Sequence, residues 1–139
     1  MSEENNKNKI TRGMRNNNPG NIRHSSDKFQ GEVESTDKSF KKFKSMIYGY
    51  RALIKILQNY ETKYGCNTIR KIINRWAPNN ENNTDSYVKY VSENSGYGPD
   101  EVIDMHNKEV AIKITRAISN EENSGWHDMT AIMEGFDLI

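Results

Sequence analysis

Sulfur chemistry has almost nothing to work with in this sequence, because Cys66 is its one cysteine. It cannot close an internal disulfide, and its setting, Gly65-Cys66-Asn67 between two helical patterns, reads as a small residue at a loop edge. A catalytic thiol needs a histidine partner, and His24, His106 and His127 offer no recognisable pairing. The histidines also lack metal-ligand spacing: His127-Asp128 is an adjacent pair with no further ligand at a helical step. No glycine loop of the phosphate-binding kind is present, so neither a metal nor another cofactor is expected. Long apolar runs are missing as well. Nothing approaches the roughly 20 residues of a membrane span, and the first 20 residues have no apolar core of a secretory signal. A protein made in the cytoplasm is expected, delivered by something else if it acts outside. Charge of one sign is equally absent: 20 basic residues stand against 19 acidic ones. That balance gives no field to argue for nucleic acid or a membrane surface. Lys38, Lys41, Lys42 and Lys44 form a local basic patch, suited to an anionic wall polymer, nucleic acid or an acidic neighbour, and explained as well by a solvated strand edge using lysine to resist sheet extension.

What is there suits one domain. A chain of 139 residues with 34% apolar content can build one compact core under a polar coat. Residues 1–9 are Ser, Glu, Asn and Lys almost throughout and read as a flexible tail, leaving 10–139 as the domain. A short turn or a single helical turn is expected over 10–15. Between Ile22 and Lys44 short extended pieces alternate with turn clusters, which predicts an antiparallel sheet of two or three strands, over 21–24, 29–33 and 39–43. Phe40 and Phe43 break strict alternation, so a bulge or strand end is expected near Lys41-Lys42.

Helices follow. Ser45 is placed to cap a long one in which Met46, Ile47, Tyr50, Leu53, Ile54, Leu57, Tyr60 and Tyr64 recur at three- and four-residue steps, with Gly65 ending it. Thr68 opens a shorter helix with Ile69, Ile72, Ile73 and Trp76 inward, stopped by Pro78. A third starts at Thr84 or Asp85 and carries Tyr87, Val88 and Val91 up to Gly96. Asn107 caps a fourth with Val110, Ala111, Ile114, Ala117 and Ile118 inward. A short last helix spans 129–134, ended by Gly135. The fold class is α+β, mainly α: a small antiparallel β-lobe beside a bundle of four to five helices.

The least ordinary stretch is Arg15-Asn16-Asn17-Asn18-Pro19-Gly20-Asn21-Ile22-Arg23. Asn and Gly favour turns and Pro lacks an N–H, so it is a loop. Its amides suit two jobs, holding the chain's own backbone or holding a polar ligand such as a sugar. This string, with Phe29-Gln30-Gly31, Ser39-Phe40, Phe43, Gly49-Tyr50-Arg51-Ala52, Thr68-Ile69, Ile72-Ile73, Trp76-Ala77-Pro78, Glu81-Asn82 and Thr84, resembles a family of bacteriophage structural proteins. That family is lysozyme-like and related to glucosaminidases and lytic transglycosylases, which cut peptidoglycan. The resemblance runs from about Gly13 to Gly96. It implies a lysozyme-like fold, a glycan groove between the lobes, peptidoglycan or other virion proteins as partners, and a place in a virion or at the bacterial envelope.

Glycoside cleavage needs an acid on the leaving oxygen and usually a second carboxylate; a lytic transglycosylase manages with one, because the sugar's own 6-hydroxyl attacks. Glu32 and Glu34 are two apart on an expected strand, with Cα atoms roughly 6.5 Å apart on one face. The resemblance points to Glu32 and Asp37, so Glu32, Asp37 and Glu34 are the candidate catalytic carboxylates. It also implies Tyr87 as a helix-borne tyrosine of the groove. Asn18, Asn21 and Trp76 are candidates for amide contacts and a stacking face, and Glu81 for a loop that reaches the cleft. Plain packing is the alternative for Tyr87 and Trp76. The resemblance further implies a principal acid at the end of a helix preceding the asparagine loop, where this chain has only Glu3 and Glu4 in a polar tail. Either the acid has moved, or the scaffold binds glycan or virion proteins without cutting.

Overall fold

The computed structural model describes residues 9–79 and 83–139. Residues 1–8 of the expected tail lie outside them, and so does Glu81. Six helices and a two-stranded antiparallel sheet make up the described chain, an α+β arrangement that is mainly helical. In order they are α1 (Arg12–Arg15), β1 (Glu32–Val33), β2 (Lys42–Phe43), α2 (Met46–Tyr64), α3 (Ile69–Trp76), α4 (Thr84–Ser95), α5 (Lys108–Glu122) and α6 (Met129–Asp137). No helix among the described residues is long and apolar enough to cross a membrane.

Most helix ends follow local chemistry. Thr68 accepts from the Lys71 N–H at 3.2 Å and Asn107 from the Val110 N–H at 3.1 Å, as cap residues do. Asn83 caps α4 by accepting from the Ser86 N–H, one residue before the expected start. Gly65 closes α2 with φ at 67°, in the left-handed region that glycine enters freely. Ser45 holds the cap position of α2 but makes no side-chain cap bond. The last helix corrects the sequence reading: it runs through Gly135 to Asp137. Gly135 packs on the backbone of α2, where a Cβ would lie 2.9 Å from the Arg51 nitrogen and the Ile47 oxygen. It is a contact glycine, not a stop.

The strands are shorter than the sequence pattern predicts. Glu32 pairs with Phe43 and Val33 with Lys42, and the segment around Arg23 contributes only an isolated bridge to Phe40. Polar side chains and backbone groups take over where ladder bonds stop. Asn18, fully buried, donates to the carbonyls of Ile22 and Lys41 and accepts from the Ile22 N–H, at 2.9–3.0 Å.

Three groups of apolar side chains hold the body together. Leu53, Ile54 and Leu57 of α2 meet Ile69, Ile72 and Ile73 of α3, Val88 and Val91 of α4, and Ile114, Ala117 and Ile118 of α5. Each buried Leu or Ile contributes roughly 1.5–3 kcal/mol, which makes this group the main source of stability. Ile22, Phe43 and Ala52 fasten the small sheet to α2, and Tyr50, Ala131 and Ile132 fasten α6. The Tyr50 hydroxyl bonds Ser119 Oγ at 2.8 Å and accepts from the Asp128 N–H, tying α2, α5 and the start of α6.

Candidate functional site

The asparagine loop assigns a different partner to each of its amides. Asn16 donates to Asp37 at 3.1 Å, Asn17 donates to the Phe43 carbonyl at 3.1 Å, and Asn18 is enclosed as described. These three hold the loop and the sheet in place. Offered above as a glycan contact, Asn18 has no exposed surface and an amide already committed to backbone. Asn17 and Asn21 each sit at φ 50°, which asparagine tolerates better than most residues. Asn21 turns outward into a cleft.

That cleft lies between the β side and the helical body, with a volume of about 290 Å³. Ile22, Arg23 and Phe40 form one wall, Ile56 and Tyr60 of α2 with Trp76 of α3 the other, and Glu122 stands at its end. Glu122 is the last residue of α5. Its Oε1 accepts from Asn21 Nδ2 at 3.0 Å and its Oε2 from the Tyr87 hydroxyl at 2.8 Å. Trp76 Nε1 in turn donates to the Tyr87 oxygen at 3.2 Å. Of the candidate binding residues, Asn21 and Tyr87 thus meet on one carboxylate, and Trp76 joins them through the Tyr87 hydroxyl. The Tyr87 hydroxyl is held well above its ordinary pKa, first by burial and then by the charge and hydrogen bond of Glu122, so it stays a donor at neutral pH. Asn21 Oδ1 is buried with no hydrogen-bond partner, an acceptor left open beside the carboxylate.

The residue after Glu122 anchors this corner. Asn123 Nδ2 donates to the carbonyls of Pro19 and Ser119 at 2.8 and 2.9 Å, and its Oδ1 accepts from Thr11 Oγ1 at 2.6 Å. Thr11 also caps α1 by accepting from the Met14 N–H. Gly13 belongs to the same knot, because a Cβ there would run into the Asn123 side chain. A second depression, about 680 Å³ and lined by Lys9, Thr11, Met14 and residues 122–126, shares Glu122 with the cleft. Glu122 therefore lines both openings.

None of Glu32, Glu34 and Asp37 lines the cleft. Glu32 faces inward, 3.1 Å from the fully buried ammonium of Lys41. Burial pushes its carboxyl up, but the Lys41 hydrogen bond, the Phe29 N–H and the charges of Lys41 and Lys28 outweigh that and hold it below the usual range. Asp37 is gripped by the Arg12 guanidinium at 2.7 and 3.1 Å and by Asn16 and the N–H groups of Ser39 and Phe40. Those donors, Arg12 foremost, keep it far below the usual carboxylate range, the condition of a permanent anion rather than of a proton donor. Glu34 is exposed. It does not share the inward face of Glu32, because the strand ends at Val33.

Glu122 itself escaped the sequence reading, although two signals mark it. It continues the buried stripe Ala111, Ile114, Ile118 by one more four-residue step, which puts a carboxylate where an apolar residue is due. It also follows Glu121 at a helix C-terminus whose last turn has no basic residue, where the helix dipole opposes negative charge. The Glu121 carboxyl is raised above its ordinary value, by loss of water first and by the charge of Glu122 second. A local conflict of this kind is what functional positions look like in sequence.

Compared with known proteins, no family model matches the chain. Among curated proteins, protein P5 of Pseudoalteromonas phage PM2 is 36% identical to it over 134 residues, a match that covers 94% of this chain and 82% of that protein.

Proposed function

We propose, from the premise that this chain belongs to the family of phage protein P5, that it is a phage-type, lysozyme-like peptidoglycan glycosidase with Glu122 as its acid/base. The bonds of Asn21 and Tyr87 to the Glu122 carboxylate, with Trp76 joined to it through the Tyr87 hydroxyl, are the observation that carries this reading. The resemblance implies an acid at the end of a helix preceding the asparagine loop, and Glu122 ends a helix and bonds Asn21 of that loop. The helix comes from the far end of the chain instead of from the residues ahead of the loop.

One carboxylate lines the cleft among the described residues, so the chemistry follows the single-carboxylate route. Protonated Glu122 gives its proton to the glycosidic oxygen as the C1–O bond breaks. The sugar's 6-hydroxyl forms the new bond to C1, and its proton returns to Glu122, leaving a 1,6-anhydro end. Tyr87 donates to the carboxylate form of Glu122 and so supports it after the first transfer. Asn21 holds Glu122 through its Nδ2, and the partly exposed ring of Trp76 offers a face to a sugar.

The second reading is a non-catalytic virion protein on the same scaffold. It is favoured by the engagement of both Glu122 oxygens in internal hydrogen bonds, as in a purely structural carboxylate. The test is digestion of purified peptidoglycan with muropeptides read by mass spectrometry. Products with anhydro ends support the transglycosylase route, and reducing ends indicate hydrolysis. No release by the folded protein leaves the scaffold reading.

A further inference from the structure

Beside the cleft lies a further cavity of about 490 Å³, and Ile56 and Tyr60 line both. One face of α2 forms its floor: Arg51, Lys55, Asn59 and Lys63 follow at four-residue steps and all line it. Like charges four apart oppose a helix, so Arg51 and Lys55 are costly neighbours unless something anionic sits on them. Among the described residues neither lysine is held by an ion pair, and Arg51 Nε is buried with no hydrogen-bond partner. Lys41, Arg70, Lys108 and Lys113, by contrast, each meet a carboxylate within 3.1 Å. The other charges on the rim are Lys28, which faces Glu32 at 3.7 Å, and Asp27. Tyr60 and Tyr64 add aromatic walls.

We propose that this cavity is a binding subsite for a carboxylate-bearing peptide branch of the glycan, gripped by Arg51, Lys55 and Lys63. The inference rests on the glycosidase reading for its choice of ligand. An N-acetylated glycan strand is itself uncharged, and in peptidoglycan the carboxylates sit on the peptide stems. A strand lying along the cleft past Trp76 would direct a stem across Ile56 and Tyr60 into the cavity. A single inorganic ion would leave most of that volume empty.

The test needs no cleavage. A free stem tetrapeptide is titrated into the wild-type protein and followed by NMR, beside the same peptide with its carboxyls amidated. The proposal expects amide shifts along 51–63 with the acidic peptide. It expects binding about tenfold or more weaker for Lys55→Gln/Lys63→Gln, and kept by Lys55→Arg/Lys63→Arg, which retains the charge. Arg51→Gln, at the partly buried end, is the second variant. Equal binding of the amidated peptide, shifts elsewhere, absence of binding, or capture of polygalacturonate with no capture of peptide would each overturn the subsite. Peptide binding in a protein that releases no muropeptides would sink the enzymatic reading alone.

Discussion

Lys41 is fully buried, and its ammonium donates to both oxygens of Glu32 and to the carbonyls of Ser25 and Asp27. An ion pair of this kind is weak evidence for stability, yet breaking it from one side strands the other charge. Lys41→Met is therefore expected to cost about 3–5 kcal/mol in urea unfolding, and Lys41→Met/Glu32→Leu to recover much of that loss. Equal destabilisation by the single and double variants would show that the pair does not act as a unit. Asp37 works by the opposite logic, as an anion satisfied by five donors. A carboxyl held below its ordinary value stabilises the fold above the unfolded pKa, about 4, and loses that contribution as pH falls below it. The Tm gap between wild type and Asp37→Asn should be widest near pH 7 and shrink below pH 4. A gap independent of pH would contradict this.

Among the elements, the asparagine loop depends on its seat on α2. At Gly49 an added Cβ would fall on the Asn17 carbonyl oxygen and press on the Pro19 ring. Backbone must move to make room, so Gly49→Ala is expected to lower stability by about 1–3 kcal/mol, as overpacking does, and to disturb Asn21 with it. A crystal structure of that variant with an unmoved loop, or an unchanged Tm, would refute the account. The helices were readable in the sequence because Leu53, Ile54 and Leu57, or Ile69, Ile72 and Ile73, repeat at helical steps and Thr68 and Asn107 are ordinary caps. The sheet was less readable, since Asn18, Lys41 and Asp37 replace most ladder bonds with side-chain bonds that follow no period. Gly135 has the sequence look of a stop, because the backbone of α2 against it is a tertiary contact that no local pattern carries.

For the whole molecule, the site is a seam between the two ends of the chain. Asn21 reaches Glu122 across 101 residues, and Asn123 reaches Pro19 across 104 and Thr11 across 112. Local reading could find Asn21, Tyr87 and Trp76 separately, but no sequence window contains both them and Glu122. Asn123→Ala removes the bridge and leaves buried partners such as the Pro19 carbonyl without a donor, which is expected to cost about 1–3 kcal/mol. It should also loosen the 10–21 segment, seen as faster amide exchange there than in α3 or α4. Uniform acceleration across all helices would contradict a seam and indicate only a weaker fold.

The most direct test compares four carboxylate variants, Glu122→Gln, Glu32→Gln, Glu34→Gln and Asp37→Asn, in clearing suspended peptidoglycan sacculi, each checked for folding by circular dichroism. Glu122→Gln is expected to lose a factor of about 10²–10⁴ in rate while staying folded, the range expected for removal of a general acid/base. Glu34→Gln should match wild type, and the other two should lose rate only as far as they lose folded protein. Clearing by Glu122→Gln at the wild-type rate would contradict the account, because no other residue lining the cleft among the described ones carries a carboxylate.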